Sequence, residues 1–297
     1  MNAQKIVLVT GCSSGFGKVI SEILARKGYQ VFASMRNAST RNAAARDELL
    51  ELAAREQLQL TVIDLDVTDD ESVERAVAGV IAEAGRIDVL INNAGYALWG
   101  LAETFTVEQA KRIFDTNFFG VVRMNRAVLP HMRAQRDGLI VHITSAAGRG
   151  VLPGMSLYTA TKFAVEALAE SYRYELSQAG VDSVTVEPGP FRTEVFAKAE
   201  TATDLSRAPE YGAIAEVPGQ ISAGLEASAA PMEEVADEVV HLIETPTGSR
   251  PMRTLIGPVV GALQPINDVA AQIQRELLTS LGLGNLLSAA AAKGQAA

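Results

Sequence analysis

Tyr158 and Lys162 lie one helical turn apart in the segment Tyr-Thr-Ala-Thr-Lys, and together they could move a proton. Residues four positions apart on a helix project from the same face. A tyrosine hydroxyl, with a reference pKa of about 10, is a poor acid or base near neutral pH. An ammonium group about 5 Å away, at an effective dielectric of about 20, should lower that pKa by about 2 units. The spacing therefore predicts that Lys162 makes Tyr158 a usable proton donor.

Ser145 precedes this pair, in the segment Ile143-Thr-Ser-Ala-Ala147, and adds a neutral hydroxyl that could bind a substrate oxygen. A tyrosine and a lysine at this spacing also occur on ordinary surface helices that carry no chemistry. The choice between these two interpretations depends on the elements that would have to position the three residues.

A strand, a glycine-rich turn and a helix are predicted at the N-terminus. Lys5–Thr10 is a short apolar run rich in β-branched residues, which is typical of a buried strand. It leads into Gly-Cys-Ser-Ser-Gly-Phe-Gly, and apolar residues at helical spacing follow from Val19 to Leu24. The backbone N–H groups of such a turn and the dipole of the helix favour a pyrophosphate, although glycines in a plain turn are the alternative. The residues predicted to hold the nucleotide here are Gly11, Ser13, Ser14, Gly15, Phe16 and Gly17.

Further motifs follow along the chain in a definite order. They are Asp64-Leu-Asp-Val67, Asn92-Asn-Ala-Gly95, Thr116-Asn117 and Pro188-Gly-Pro-Phe-Arg-Thr193. Together with the glycine turn, the serine and the Tyr–Lys pair, they resemble the short-chain dehydrogenases/reductases that carry a TGxxxGxG motif. Within that superfamily the chain is most similar to hydroxysteroid and retinol dehydrogenases and their bacterial relatives, and the resemblance covers roughly residues 5–256.

The resemblance implies a role for each motif. Hydride would pass between nicotinamide and a carbonyl carbon while Tyr158 transfers the proton and Ser145 holds the oxygen. Lys162 would also bind the nicotinamide ribose, and Asn117 would distort its helix and hold a water that links the lysine to solvent. The catalytic residues expected on this basis are Asn117, Ser145, Tyr158 and Lys162. The remaining cofactor-binding residues expected are Asp66 and Val67 at the adenine, Asn93, Ala94 and Gly95 near the ribose, and Pro188, Gly189, Phe191 and Thr193 near the nicotinamide.

Local structure offers a second interpretation for several of these residues. Asp66 could instead cap the helix that follows it, because an aspartate near a helix start accepts backbone N–H groups. The segment Asn92–Gly95 has the composition of a simple turn. Asn117 could be a core or bent-helix residue, since asparagine competes with the helical backbone for hydrogen bonds. Phe191 and Arg192 could serve the structure alone.

The end of the second predicted strand, Val31–Asn37, bears on the choice of cofactor. Enzymes that use NAD typically place an acidic residue there, which accepts hydrogen bonds from the ribose hydroxyls. This chain has Met35 and Arg36 at the corresponding place and no acid. Arg36 could pair with a 2′-phosphate through charge-assisted bonds worth about 1.5–3 kcal/mol, with help from Ser13 and Ser34. The sequence therefore predicts NADP(H) in preference to NAD(H), the alternative being an arginine in a solvated loop.

Strand and helix signals alternate along the 297 residues without a linker. This alternation predicts a single α/β domain of Rossmann type, in which helices cover both faces of a doubly wound parallel sheet. We expect residues 1–260 to form the nucleotide-binding and catalytic domain, with residues 194–231 as a substrate lid and residues 261–297 as a C-terminal helix and an Ala-rich tail. The predicted strands are Ile6–Thr10, Gln30–Ser34, Leu58–Asp64, Val89–Asn92, Leu139–Thr144, Ser183–Glu187 and Thr254–Ile256.

Composition argues against several classes of function. A net charge of −9 disfavours nucleic acid and anionic membranes as partners. No stretch reaches about 18 apolar residues and no long apolar run precedes the first strand, so we expect neither a membrane span nor a signal peptide. Cys12 is the only cysteine, which excludes an internal disulfide and fits the cytoplasm; it is either a small filler in the glycine turn or a reactive thiol. The three histidines are scattered, so we expect no metal, and His142 lies inside a strand.

Apolar residues follow two of the motifs and should face the nicotinamide. They are Tyr96, Leu98, Trp99, Val151, Leu152 and Met155. Residues 194–231 form a long and weakly periodic segment, which is typical of a lid but also of a disordered loop. An apolar pocket under a lid predicts a small hydrophobic ketone, aldehyde or secondary alcohol as the substrate, and steroids and retinoids are candidates by analogy.

Two other functions are compatible with parts of this sequence. A sensor or scaffold that binds NADP(H) without turnover would tolerate the loss of Tyr158, yet every catalytic residue is present. A nucleotide-sugar epimerase shares the Tyr–Lys pair but usually carries a GxxGxxG turn, which this chain does not match. The helices that contain Asn117 and Tyr158 are apolar over broad faces, so we expect a homodimer or homotetramer. The alternative is a monomer in which the lid or the C-terminal segment covers them.

Overall fold

A computed structural model of the protein describes residues 4–193 and 199–287. The strands, numbered along the chain, are β1 (Ile6–Val9), β2 (Gln30–Met35), β3 (Leu60–Asp64), β4 (Val89–Asn92), β5 (Leu98–Trp99), β6 (Gly138–Ile143), β7 (Val181–Pro188), β8 (Glu200–Thr201) and β9 (Arg253–Ile256). The α-helices are α1 (Gly15–Arg26), α2 (Ala43–Glu56), α3 (Asp70–Ala84), α4 (Val107–Phe114), α5 (Gly120–Gln135), α6 (Ser156–Glu175), α7 (Val217–Ala227), α8 (Glu233–Glu244) and α9 (Gln264–Ser280).

Seven strands form one parallel sheet in the order β3-β2-β1-β4-β6-β7-β9. The chain winds outward from β1 to β3, returns to the other side of β1 as β4, and continues to β9. The carboxyl ends of β1 and β4 therefore flank the point where the winding direction reverses, which is where doubly wound sheets bind their ligands. The structure confirms the single Rossmann-type domain, and each of the seven predicted strands is present with shifts of a few residues at its ends.

The side chains of β1 show why helices cover both faces of the sheet. Val7 and Val9 pack into a hydrophobic cluster that includes residues of α1 and α8. Ile6 and Leu8 pack into a second cluster, on the opposite face, that includes residues of α3 and α5. Because successive side chains of a strand point to opposite faces, a strand buried on both sides is apolar throughout, and β1 is such a strand.

The helical region that contains Asn117 is interrupted. A π-helical segment, Asp115–Phe119, joins α4 to α5 and has Asn117 at its centre. A π-helical turn widens the helix by one residue and is frequent at functional sites. The distortion expected of Asn117 therefore takes the form of a π-helical segment.

Of the segment predicted as a lid, residues 194–198 lie outside the described residues. The rest of it forms short elements that contact the body of the domain. β8 pairs in parallel with β5 in a separate two-stranded sheet. Trp99 Nε1 donates a hydrogen bond of 2.7 Å to the Pro218 carbonyl oxygen at the start of α7. Arg207 and Tyr211, in the 3₁₀-helical stretch before α7, both donate to Glu103.

The C-terminal part of the chain returns to the body of the domain as α9 and a short 3₁₀ turn, Gly284–Leu287. The rest of the predicted Ala-rich tail, residues 288–297, lies outside the described residues. Within the described ranges, no helix has the length and apolar character needed to cross a membrane.

Candidate active site

A cavity of about 1180 Å³ opens where the parallel strands end, and residues that follow all seven strands of the main sheet line it. Most of the predicted site residues contribute to its wall. They are Gly11, Ser13, Ser14, Gly15, Phe16, Arg36, Asp66, Val67, Asn93, Ala94, Gly95, Ser145, Tyr158, Lys162, Pro188, Gly189, Phe191 and Thr193. The predicted residues Gly17 and Asn117 are not part of this lining and support it from behind.

The glycine turn and the Asn92–Gly95 segment are locked together across β1 and β4. Thr10 Oγ1 accepts hydrogen bonds of 3.0 Å from both the Asn93 and the Ala94 backbone N–H. Asn93 Nδ2 donates to the carbonyl oxygens of Thr10 at 2.8 Å and Gly11 at 3.1 Å. Asn93 therefore does more than make a turn, because it fixes the distance between the two segments.

Two glycines are required by this close approach. Gly11 has a φ of +75°, and a Cβ there would lie only 2.8 Å from the Ala94 Cα. A Cβ at Gly17 would collide with Asn93 Nδ2 and with the Gly11 carbonyl oxygen. The first turn of α1 contains no acidic residue, and its N-cap Ser14 makes no capping hydrogen bond, so its N–H groups can face an anion. This arrangement fits the pyrophosphate of a dinucleotide.

Arg36 directly follows β2 and is exposed at the edge of the same cavity. Arg41 also lines this edge and was not predicted, because its sequence context is an ordinary loop. The prediction that Ser34 assists is wrong. Its side chain is fully buried in β2 and does not line the cavity, whereas the adjacent Met35, on the other face of the strand, does.

Asp66 follows β3 and folds back on its own loop. Its Oδ1 accepts from Thr68 N at 3.0 Å and from Thr68 Oγ1 at 2.8 Å. The residue that caps α3 is Asp69, whose side chain accepts from Glu71 N, so the alternative that Asp66 caps this helix is wrong. Asp66 remains on the cavity wall next to Val67, as the family resemblance implies.

Asn117 is buried, and its side chain is held by hydrogen bonds. Oδ1 accepts from Tyr96 N at 3.1 Å, while Nδ2 donates to Tyr96 O at 2.9 Å and to Thr161 Oγ1 at 3.2 Å. These contacts fasten the segment after Gly95 to the π-helical segment and to α6. They give Asn117 a positioning role, and the water relay expected for it stays a prediction.

Ser145, Tyr158 and Lys162 share one wall of the cavity. Lys162 Nζ donates to the Ile143 carbonyl oxygen at 2.9 Å and lies 5.5 Å from the centre of the Tyr158 ring. Burial lowers the pKa of Lys162 to about 8, against the opposing effect of the Glu166 charge. Burial also raises the pKa of Tyr158, and its hydrogen bond with Ser145 lowers that pKa only in part.

The raised pKa of Tyr158 is opposite to the decrease expected from the sequence. That expectation considered the charge of Lys162 and left out the cost of placing a phenolate in a poorly solvated site. Burial is the larger effect here. Tyr158 is therefore protonated at neutral pH, which suits a proton donor.

Two other titratable groups near the site are inert. His142, in β6, lies between Asn92 Nδ2 at 3.4 Å and Ser183 Oγ at 3.3 Å, and burial lowers its pKa to about 3. It is a neutral, packed histidine. Burial raises the pKa of the Cys12 thiol to about 12, which makes Cys12 the filler of the glycine turn rather than a reactive thiol.

A buried charge cluster lies beneath the site, and sequence reasoning missed it. Arg149 bridges two carboxylates, with its Nε at 3.0 Å from Glu187 and an Nη at 2.9 Å from Glu166. Arg253 lies within 3.3 Å of the Glu166 carboxylate, and Asn267 donates to Glu187 at 2.6 Å. Burial, followed by the charge of Glu187, raises the pKa of Glu166. Only the spacing of Glu166 one helical turn after Lys162 could have indicated this cluster.

The apolar part of the wall differs from the expectation. Tyr96, Val151, Leu152 and Met155 line the cavity, but Leu98 and Trp99 do not. Leu98 is fully buried in β5, and Trp99 binds the start of α7 instead. Further apolar lining residues that were not predicted come from α7 and from the segment between β9 and α9. They are Leu225, Val259, Val260, Ala262 and Leu263.

Phe191 and Arg192 lie in the segment that follows β7. Phe191 is buried and packs edge-to-face on Phe16, with ring centres 5.5 Å apart, so it stabilises the glycine turn as well as lining the cavity. Arg192 is exposed, and its Nε donates to the Ala229 carbonyl oxygen at 3.2 Å.

Comparison with known proteins agrees with the fold and with the order of the motifs. The family model described as short chain dehydrogenase matches residues 5–204. The 3-ketodihydrosphingosine reductase of Bacteroides thetaiotaomicron is 39% identical over 189 residues, which are 64% of this chain and 65% of that protein. Retinol dehydrogenase 8 of Homo sapiens is 41% identical over 212 residues, 70% of this chain and 65% of that protein. The matching region thus spans somewhat less than two thirds of each relative.

Solved structures extend the similarity over nearly the whole chain. A short-chain dehydrogenase from Streptomyces avermitilis is 30% identical with a TM-score of 0.76, and the match covers 95% of this chain and 99% of that one. A serine dehydrogenase in its closed form, complexed with NADP⁺, is 30% identical with a TM-score of 0.69 over 86% of this chain and 95% of that one. The chain belongs to the short-chain dehydrogenase family of oxidoreductases.

Proposed function

We propose that the protein is an NADP(H)-dependent oxidoreductase that interconverts a hydrophobic ketone or aldehyde and its alcohol, with Tyr158 as general acid and base. The observation that carries this proposal is the sharing of one cavity by Ser145, Tyr158 and Lys162, the glycine turn and Arg36. A sensor that binds the nucleotide without turnover has no need of the first three residues in this arrangement.

The wall of the cavity suits a nicotinamide dinucleotide. Because glycines occupy the turn between β1 and α1, no side chain there prevents a ligand from reaching the backbone N–H groups. The N-terminus of α1, which follows this turn, favours negative charge. When bound, such a cofactor supplies the hydride that a carbonyl carbon accepts. Thr193, Pro188 and Gly189 would hold its nicotinamide end, and Lys162 its ribose. The NADP⁺ in the structurally similar serine dehydrogenase supports this class of cofactor.

The residues of this chain divide the proton chemistry among them. Tyr158, protonated at neutral pH, donates its proton to the substrate oxygen, and Ser145 binds the same oxygen as negative charge develops on it. Lys162, held by the Ile143 carbonyl oxygen, keeps a positive charge beside the ring and stabilises the phenolate that remains. The reverse reaction uses the same groups in the opposite order.

Preference for NADP(H) rests on two arginines. Arg36 and Arg41 line the edge of the cavity after β2, and among the described residues neither forms a salt bridge within 4 Å. The carboxylate of Asp64 at the end of β3 accepts from the backbone N–H groups of Asn37 and Ala38, so it is already engaged in fixing this turn. A 2′-phosphate would complete the charge pairing of the two arginines.

The same features support proposals for the substrate, the assembly and the location. The apolar wall formed by Val151, Leu152, Met155 and the segment after β9 favours a hydrophobic carbonyl compound as the substrate. Steroid- and retinoid-like compounds are candidates of this kind. A homodimer or homotetramer would cover the exposed aromatic side chains of α6 and the π-helical segment. A single buried thiol suits a reducing compartment such as the cytoplasm.

A substrate panel tests the proposal. Ketones, aldehydes and secondary alcohols of increasing apolar size are offered to the purified protein with NADPH, NADP⁺, NADH and NAD⁺. We expect turnover of apolar carbonyl compounds, faster with NADPH than with NADH, and loss of that turnover in Tyr158→Phe. Tight NADPH binding without turnover of any compound would favour the sensor, and turnover equal in wild type and Tyr158→Phe would remove the proposed acid.

A further inference from the structure

Val259 has an unusual backbone conformation for its residue type. Within residues 4–193 and 199–287, four residues other than glycine have a positive φ, namely Asn37, Gln57, Arg136 and Val259. Gln57 and Arg136 end α2 and α5 in the left-handed conformation that commonly terminates helices, and asparagine tolerates this region well. Val259, with a φ of +57°, ends no helix and carries a branched Cβ, for which this region is sterically unfavourable.

Burial does not explain the strained backbone of Val259. Its side chain is 71% exposed, so core packing does not compensate for the unfavourable conformation. A glycine would adopt the same φ without a steric penalty. Strained residues that persist in a fold cluster at ligand sites, and Val259 lines the cavity that contains Tyr158.

The residues on either side of Val259 force the turn. A Cβ at Gly189 would lie 2.6 Å from both the Pro258 carbonyl oxygen and Val260 Cγ1, so this loop lies directly against Gly189. Val260 is buried, and its carbonyl oxygen accepts from Leu263 N at 2.8 Å. Between these two neighbours, Val259 adopts the positive φ and is itself part of the cavity wall.

We propose that Val259 is a specificity-determining residue, whose strained backbone holds its side chain against the apolar body of the substrate next to the reacting carbonyl. This inference rests on the proposed function, because it assigns the residue to the substrate side of the same cavity. Val259 selects for extended apolar substrates and contributes little to the turnover of small ones.

Val151 provides a matched control. It is also 71% exposed and lines the same cavity, but its φ is not positive. Replacing either valine by glycine removes the same side chain and adds the same freedom to the unfolded chain. Only at position 259 does glycine also relieve a strained conformation.

The first measurement compares the thermal stability of Val259→Gly and Val151→Gly without substrate. We expect the melting temperature of Val259→Gly to exceed that of Val151→Gly by about 2–4 °C, and to equal or exceed that of the wild type. Equal melting temperatures of the two variants would overturn the claim that the backbone at Val259 is strained.

The second measurement is selectivity along the 2-alkanones, from 2-butanone to 2-dodecanone, with NADPH. In Val259→Gly and Val259→Ala, we expect kcat/KM for 2-dodecanone to fall about tenfold relative to 2-butanone, the size expected for losing the burial of one valine side chain. If the ratio falls equally in both variants, its cause is the lost side-chain contact and not the relieved strain. The reason is that alanine keeps most of the steric cost of a positive φ. An unchanged ratio of the two kcat/KM values in both variants would overturn the proposal.

A third measurement keeps this inference separate from the proposed function. If the wild type turns over neither the alkanones nor any other compound of the substrate panel, the proposed function fails, and the rise in melting temperature caused by added 2-dodecanone then decides the role of Val259. A smaller rise in Val259→Ala than in the wild type supports the assignment. An equal rise in both proteins contradicts it.

Discussion

Asn267, on α9, donates a hydrogen bond of 2.6 Å to Glu187, the buried residue that directly precedes Pro188 and Gly189. The same carboxylate accepts from Arg149, which follows the Ser145 turn and also reaches Glu166 on α6. The C-terminal helix, the serine turn, the tyrosine helix and the end of β7 therefore meet at two buried carboxylates. α9 is thereby tied through Glu187 to the end of β7, directly before the cavity residues Pro188 and Gly189.

This relationship predicts the effect of Asn267→Asp. A third carboxylate in the buried cluster should lower the free energy of unfolding by about 3 kcal/mol near neutral pH. The penalty should shrink at lower pH, because a carboxyl group with a raised pKa takes up its proton on the folded protein first. Urea unfolding at two pH values measures both effects. Asn285→Asp, at an exposed position, is the control, and equal losses in the two variants would contradict the prediction.

Tyr158→Phe should abolish turnover while NADPH binding stays nearly unchanged. The variant removes the proton donor and leaves the glycine turn and Arg36 intact, and general acid catalysis is typically worth about 10²–10⁴-fold. The measurements are kcat on an active substrate and the Kd of NADPH by fluorescence. Tyr29→Phe, remote from the cavity, is the control for loss of a phenol hydroxyl. Retention of more than about a tenth of the activity would remove Tyr158 from the role of general acid.

Arg36→Asp should shift the cofactor preference from NADP(H) toward NAD(H). It removes a partner of the 2′-phosphate and places a carboxylate near the ribose hydroxyls, so the ratio of kcat/KM for the two cofactors should change by at least about tenfold. Arg55→Asp, on the exposed end of α2, provides the same change of charge away from the cavity. An unchanged ratio in Arg36→Asp would mean that Arg36 is only a solvated loop residue, and Arg41→Ala would then show whether Arg41 binds the phosphate alone.

The strands, the glycine turn and the residues around Tyr158 are predictable because each is a local pattern. A buried parallel strand is apolar over its whole length, and a helix keeps residues four apart on one face, so β1 and the Tyr158–Lys162 pair are visible in a few consecutive residues. The family resemblance added the order of the motifs. Local patterns cannot say how deeply a group is buried, which is why the expected direction of the Tyr158 pKa shift is wrong.

Contacts between distant segments are the part that the sequence does not predict. Leu98 and Trp99 are apolar and follow a binding motif, yet pairing with β8 and the bond to α7 turn them away from the cavity. Arg41, Asn267 and Val259 lie outside recognisable motifs. Their roles depend on which loops and helices the fold places beside β2 and β7.

His142 should make the stability of the protein sensitive to acid. Its pKa is about 3 in the fold, against an ordinary value of 6.5, so the unfolded chain takes up a proton first as the pH falls. The neutral histidine therefore makes its full contribution to the free energy of unfolding above pH 6.5. Lowering the pH from about 7 to about 5 should reduce that free energy by about 2 kcal/mol. Urea unfolding of the wild type and of His142→Asn measures this difference. His241→Asn, at an exposed position on α8, controls for the loss of an imidazole. If His142→Asn shows the same pH dependence as the wild type, a group other than His142 causes it.

The helices that contain Asn117 and Tyr158 should pair across a two-fold axis in a homodimer or a larger assembly. Phe119, next to α5, and Phe163, on α6, are 49% and 40% exposed, which is unusual for phenylalanine. Phe119 also packs edge-to-face on Phe118, with ring centres 5.2 Å apart, so these two rings form a continuous apolar surface. Burying such a surface against its copy is the simplest way to remove it from water.

Light scattering at micromolar concentration should therefore give a mass of at least about twice the 31.5 kDa of one chain. Phe119→Arg should dissociate the assembly while the monomer stays folded, because the side chain is not part of the core. Leu50→Arg, on an α2 side chain that is 41% exposed, adds the same charge at an apolar site away from these helices and should leave the mass unchanged. A mass near that of one chain for the wild type would mean that these phenylalanines have no partner in a second copy.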